Sequence, residues 1–298
     1  MSQDIERTAD RLENIRSVQP LLGALRTISM GSWQKARRHN TSVAQYRSRL
    51  QGILRLLLPR LPSRRRPPAP LHEPRGAGIV VLVMGSERGL VGQFNRVVAG
   101  QAVAHARQWA DAGVPVELWA LGGRVIRILR RQGREPDLTR SLSTAALPSY
   151  RLAFDLTRRL LTRFEAGELD GVDVVYNTYR GVGQYRPAVG QLIPPEISLG
   201  DEDADQETWP PILETDPMGL YTRLAEQLTA ISLYGWLVES ATAEHAARYQ
   251  LMEDASQNAE RLIDELTMQV QMARRQAITQ EMQELVAGAG MLASQGRR

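Results

Sequence analysis

From Trp236 to Ala287 the chain reads WLVESATAEHAARYQLMEDASQNAERLIDELTMQVQMARRQAITQEMQELVA, without a glycine or a proline. Leu237, Ala241, Tyr249, Met252, Ala255, Ala259, Leu262, Leu266, Val270, Ala273 and Ala277 keep one face apolar, the spacing of an amphipathic helix. Opening near Met218, such a helix runs on the order of 100 Å at ~1.5 Å per residue. A helix of that length cannot fold back into a compact core unaided, so it needs a partner helix. The spacing also leaves a strict heptad near His245 and Val270, where a left-handed supercoil should relax.

The other end of the chain supplies a matching stripe. Ile5, Leu12, Ile15, Leu22, Leu25, Ile28, Trp33, Ala36, Val43, Leu50, Ile53 and Leu57 recur at three and four. Pro20 and Gly23 interrupt it, and a kink or a break into two helices is expected there. Two long helices at opposite ends, with many alanines on the seam, imply an antiparallel coiled coil of closely approaching backbones, residues 1–58 and 218–298.

Between them lies a different pattern. Residues 59–78 are rich in proline and carry Arg64, Arg65 and Arg66, the composition of a solvated linker. Ile79 to Met84 is a continuous apolar run closed by Gly85, as in a strand covered on both faces. Helices at about Gly92 to Ala112, Arg124 to Gln132 and Tyr150 to Glu165 alternate with strands at Val116 to Leu121, Val172 to Thr178 and near Val189 to Ile193. The fold class is therefore α/β, a mainly parallel Rossmann-like domain over 79–199 inserted in the coiled coil. An acidic loop, 200–217, leads into the last helix.

Composition excludes several chemistries. There is no cysteine, which removes disulfides, thiolate metal sites and cysteine nucleophiles. The formal charge is only +4, from 37 basic and 33 acidic residues, and Lys35 is the one lysine. A mixed surface of that kind argues against nucleic acid. The longest apolar run is far short of the ~20 residues of a membrane span, so membrane association goes through partners.

Gly85 to Asn95, after a strand and before a helix, is a place where amides can cradle phosphate. It lacks the lysine and hydroxyl of a phosphate loop, and Gly122-Gly123 stand where an acid should meet a ribose, so a tight turn without ligand is the better reading. Glu239, Glu244 and His245 could suggest a metal or acid/base group. With four histidines in the chain and no second one a helical turn away, they read as a solvated helix face. No cofactor and no catalytic residue is legible.

The tail from Ala273-Arg274 through Ile278-Thr279-Gln280-Glu281 to Glu284-Leu285-Val286-Ala287-Gly288-Ala289 resembles the C-terminal signature of F-type ATP synthase gamma subunits. Ser240-Ala241, Glu244 to Arg248, Met252, Ala255 and Asn258-Ala259 are similar to a second stretch of that family. Ser86 to Asn95 resembles its strand-end turn, and Gln19, Ala24-Leu25 and Ile28-Ser29 sit where the family has related residues. Pro20, Gly23, Ser32, Gln93 and Arg275 depart from the family pattern, as expected of a divergent or secondary, sodium-linked type.

The resemblance implies a non-catalytic subunit, the rotor shaft that couples ion flow through a membrane ring to ATP synthesis or hydrolysis at an alpha/beta hexamer. It implies partner contacts to alpha and beta subunits at Leu25, Ile28, Arg274, Thr279, Gln280 and Glu281. It also implies a foot against the epsilon subunit and the ring of c subunits, with Glu214 and Asp216 in it. The place implied is the cytoplasmic face of a bacterial inner membrane, held peripherally. A stand-alone nucleotide-binding regulator with a coiled-coil arm is the alternative, and it needs phosphate at the Gly85 turn.

Overall fold

The computed structural model describes residues 2–61, 76–143, 147–195 and 216–295. Helix α1 spans Ser2–Leu57 and is followed by a single 3-10 turn, Leu58–Arg60. Then come β1 (Ile79–Met84), α2 (Phe94–Asp111), β2 (Val116–Leu121), α3 (Gly123–Arg131), β3 (Leu138–Arg140), α4 (Tyr150–Glu165), β4 (Gly171–Gly181), β5 (Gln184–Ile193) and α5 (Pro217–Gln295). Most of the expected linker, the acidic run Asp201 to Asp205 and Glu214 lie outside the described residues.

The strands form one sheet in the order β3-β2-β1-β4-β5. β1 pairs in parallel with both β2 and β4, and β2 with β3, whereas β5 returns antiparallel to β4. The apolar run of β1 is buried at every position and divides its side chains by period two. Ile79, Val81 and Val83 join Val98, Ala99 and Ala102 of α2 with Val125, Ile126 and Leu129 of α3. Val80, Leu82 and Met84 face the other way, into a larger core with Ala153, Leu156 and Leu160 of α4, Val43, Leu50 and Leu54 of α1, and Leu228, Ile231 and Val238 of α5. The sheet is thus the middle of three layers, and the terminal helices help to build the third. Among the strands expected from sequence, the last differs: Val189 to Ile193 is the end of a ten-residue strand in a hairpin with β4. Gly183, at φ +68°, makes the tight reversal that its two long arms need.

The chain divides into two compact units, 1–28 with 250–298, and 29–249. In the larger unit the two terminal helices run antiparallel. Trp33 stacks on Tyr249, His39 Nε2 lies 2.9 Å from Tyr234 Oη, and Val43 lies against Gly235. In the smaller unit Arg26 pairs with Glu253 at 3.1 Å and Arg16 donates to Thr267 Oγ1 at 3.3 Å, again with opposite chain directions. Burial follows a seven-residue step. In α1 the larger unit buries Ser29, Ala36, Val43, Leu50 and Leu57. In α5 it buries Leu224, Ile231, Val238 and His245, with Leu228 and Thr242 between them. The smaller unit continues the step on α5 with Met252, Ala259 and Leu266, and with Ser256 and Val270.

Two expectations are corrected here. The seam does not leave its heptad near His245 or Val270; polar Thr242, His245 and Ser256 occupy seam positions and hid the repeat from an apolar pattern. Nor does α1 break at Pro20 and Gly23, since one helix runs through both. Pro20 is exposed, so the carbonyl it leaves without an amide faces water instead of core.

Candidate functional site

The strand order reverses between β1 and β4, and the crevice outside their carboxyl ends is where open α/β sheets bind ligands. The Gly85 to Asn95 turn lies there. Its two ends are tied together by Ser86 and Asn95. Ser86 donates its amide to Asn95 Oδ1 at 2.8 Å, and Asn95 Nδ2 donates to Ser86 Oγ at 2.8 Å. Ser86 Oγ donates in turn to the Arg88 carbonyl at 2.7 Å. Gly85 has no room for a side chain, because a Cβ would fall 2.4 Å from Val125 Cβ.

The start of α3 is also taken. Glu87 accepts from the Gly123 amide at 2.9 Å and from the Leu142 amide at 3.0 Å, so its carboxylate holds the N-terminus of α3. From the other side, Val91 and Phe94 are buried against Ala243 of α5, with Tyr179 and Tyr185 packed on them.

Glu244 and His245 overturn the solvated-face reading. His245 is 8% exposed. Arg248 donates from Nη2 to Glu244 Oε1 at 2.6 Å, and its Nη1 lies 3.3 Å from His245 Nδ1. The same guanidinium donates from Nε and Nη2 to the Gly89 carbonyl, each at 3.3 Å. Burial pushes the Glu244 carboxyl up from the ordinary glutamate range, against the opposing pull of Arg248. Glu239 is also largely out of water: burial raises it, while Arg47, the Tyr179 backbone and Arg180 draw it back. Tyr176 is pushed up to about 12, first by burial and then by the negative field of Glu239. Among the described residues, no cluster of three or more histidines and acids could hold a metal ion.

The residues assigned to partner contact lie elsewhere, in the smaller unit. Arg274, Thr279, Gln280 and Glu281 are exposed on α5, beyond the last buried seam residue, Val270. Thr279 returns its hydroxyl to the Arg275 carbonyl at 2.8 Å. Ile28 is 65% exposed and Leu25 half-buried on α1. Around them Met268, Met272, Ile278, Met282, Leu285 and Val286 of α5, and Val18 and Leu21 of α1, stand in solvent. Exposed large apolar side chains in such number, on α5 and on α1, are a candidate contact surface. Asp216 belongs to the larger unit, and its carboxylate caps α5 by accepting from the Gly219 amide at 2.7 Å.

A sequence profile described as ATP synthase matches residues 4–292. The chain belongs to the ATP synthase family. It is 29% identical to the ATP synthase gamma chain of Parabacteroides distasonis over 94% of this chain and 96% of that one. It is 28% identical to the ATP synthase gamma chain of Moorella thermoacetica over 97% and 98%. In fold it is similar to a chain of the Euglena gracilis mitochondrial ATP synthase, in a complex of OSCP, F1 and c-ring, with a TM-score of 0.65 and 14% identity, covering 100% of this chain and 97% of that one. A chain of the Tetrahymena thermophila mitochondrial ATP synthase, in a structure of its central stalk and c-ring, gives a TM-score of 0.55 at 16% identity, over 79% of this chain and 99% of that one.

Sequence reasoning missed the Glu244–Arg248–Gly89 cluster. The signal was present, an acid and an arginine four apart on a face that also carries alanine, but what buries the pair is a turn 159 residues away along the chain.

Proposed function

We infer that this chain is the central rotor shaft of a rotary F-type ATP synthase, coupling ion flow through a membrane ring to ATP synthesis or hydrolysis at an alpha/beta hexamer. The observation that carries this reading is the family match along nearly the whole chain, joined to antiparallel pairing of α1 and α5 within each unit and to the exposed apolar residues of the smaller unit. A shaft must be stiff and narrow. The heptad seam is mostly valine, leucine and isoleucine, with the smaller Ser29, Ala36, Thr242, Ser256 and Ala259 among them, and long helices with hydrogen-bonded interiors resist bending.

Leu25, Ile28, Arg274, Thr279, Gln280 and Glu281 are the proposed contacts with the alpha and beta subunits, and their exposure in the isolated chain fits that use. The epsilon subunit and the c-subunit ring are the proposed partners of the α/β part, with Glu214 and Asp216 in that foot. Because the Asp216 carboxylate caps its own helix, a contact there would be made by the capped turn as a whole. The proposed division of labour is a coiled-coil arm of 1–58 with 218–298, a linker at 59–78, the head at 79–199 and a loop at 200–217. The proposed place is the cytoplasmic face of a bacterial inner membrane, reached through partners; among the described residues no helix is long and apolar enough to cross a membrane.

The test is co-purification with alpha and beta subunits of the same organism. A stable complex whose ATP turnover depends on this chain supports the reading. A chain that stays free, or that hydrolyses ATP alone and loses that activity on Gly89→Val, contradicts it.

A further inference from the structure

Along α5, glutamate and arginine four residues apart occur in two very different settings. Arg261 and Glu265 lie 3.9 Å apart with side chains 69% and 53% exposed, an ordinary solvated pair of small energetic consequence. Arg248 and Glu244 are 2.6 Å apart with side chains only 12% and 15% exposed. Taking two charges that far out of water is costly unless their remaining hydrogen-bonding capacity is used. The Arg248 fork meets that condition by reaching out of its own helix to the Gly89 carbonyl in the turn between β1 and α2.

That turn is held from both sides. Glu87, two residues before Gly89, grips the amides of Gly123 and Leu142, which ties the turn to α3 and to the segment after β3. Val91 and Phe94, just after it, pack on Ala243, one residue from Glu244. Next to Arg248, Tyr249 stacks on Trp33 of α1, which also contacts Tyr179 of β4 with ring centroids 6.2 Å apart. A planar fork anchored at its root by Glu244 and bonded to a carbonyl of another element fixes the rotational register of α5 against the turn. At the crevice end of the sheet the turn is thus in contact with the chain's own helix, through Arg248 at the Gly89 carbonyl and Ala243 against Val91 and Phe94.

We propose that Arg248, fixed by Glu244, is a torsional lock between α5 and the β1–α2 turn, carrying twist of the long helix into the sheet. Arg248 is a positioning residue; it touches no substrate. The torque role rests on the rotor reading, and the lock itself does not.

The experiment uses the full chain with Arg248→Ala, Arg248→Lys and Glu244→Gln. In the isolated chain, hydrogen exchange of the 86–93 amides should quicken on the order of tenfold in Arg248→Ala, with β1 amides unchanged. Arg248→Lys keeps the charge beside Glu244 but cannot fork to Gly89, so it should give an intermediate acceleration and serves if the alanine variant folds poorly. In vesicles holding the whole reconstituted synthase, ions moved per ATP hydrolysed should fall roughly twofold or more in Arg248→Ala, with Arg248→Lys between. This ratio, unlike a rate, does not change when some complexes are merely lost. Unchanged exchange in both Arg248 variants overturns the lock. Faster exchange with an unchanged ratio overturns its role in torque. A wild-type chain that fails to join the complex overturns the rotor reading and the torque role with it, while the exchange result still decides the lock.

Discussion

Gly190 lies in β5 under the indole of Trp236, and replacing it with alanine tests how the long C-terminal helix is seated on the sheet. A Cβ at residue 190 would fall 2.6 Å from Trp236 Cζ2, 2.9 Å from Cη2 and 3.1 Å from Cε2. Carbon atoms in contact prefer about 3.5–4.0 Å, so the ring must withdraw by roughly 1 Å. It has little freedom to do so, because it also stacks on Tyr176 with centroids 5.6 Å apart and planes 26° from parallel. Overpacking of this kind costs ~1–3 kcal/mol, against a gain of ~0.4–1 kcal/mol from restricting a glycine in the unfolded chain. The net expectation is a loss of about 1–2 kcal/mol, which at ~2–4 °C per kcal/mol lowers the melting temperature measurably.

The assay is urea unfolding followed by circular dichroism, on the wild type, Gly190→Ala, Trp236→Leu and the double variant. With the indole gone, alanine at 190 should become neutral or stabilising, so the cycle should show a coupling of about 1–3 kcal/mol. Gly190→Ala that matches or exceeds wild-type stability while Trp236 is present would refute the packing argument.

Other expectations are independent of that contact. Burial holds the folded-state Glu239 carboxyl above the ordinary glutamate value of 4.5, so wild-type stability is lost as pH rises from about 4.5 through the folded value. Glu239→Gln should therefore gain stability relative to wild type over that rise and show no further relative change above it; a difference independent of pH would show that the carboxylate is not strained. Asn95→Ala strips the buried Ser86 amide of its acceptor and should cost about 1–3 kcal/mol in thermal melting, with a change under ~0.5 kcal/mol pointing to a solvated turn. Arg274→Ala and Glu281→Ala, both at exposed positions, should alter the isolated chain by no more than ~0.5 kcal/mol yet lower ATP turnover of the assembled complex several-fold. Equal turnover, with the chain shown to be present, would remove them from the contact surface.

The parts of the fold legible in the sequence are those governed by local periodicity. The six apolar residues of β1, the limits of α4 and the unbroken stretch of α5 follow from patterns of two and 3.6 that need no knowledge of neighbours. The hairpin was harder, because β5 alternates weakly and carries Pro187 and Gly190, which are tolerable in a strand at the edge of the sheet. The coiled-coil repeat was hidden for another reason. Thr242, His245, Ser256 and Ser29 are polar residues at seam positions, and only burial reveals that they keep the seven-residue step.

The same limit applied to the sites. The family signature named Arg274 to Glu281, but not that Met272, Ile278 and Met282 stand open around them. Nor could spacing along one helix show that Glu244 and Arg248 close on a carbonyl from another element. The exposed surface of α5 is a matter of what does not cover it, and no local pattern encodes that.

Because the chain contains no cysteine, a single Arg134→Cys change on its exposed surface gives a unique attachment point for a bead. With the alpha/beta assembly fixed to glass and ATP supplied, a rotor shaft should turn the bead continuously in one direction, and the motion should stop when ATP is removed. A bead that only jitters about one angle, on complexes shown to hydrolyse ATP, would contradict the assignment of this chain as the shaft.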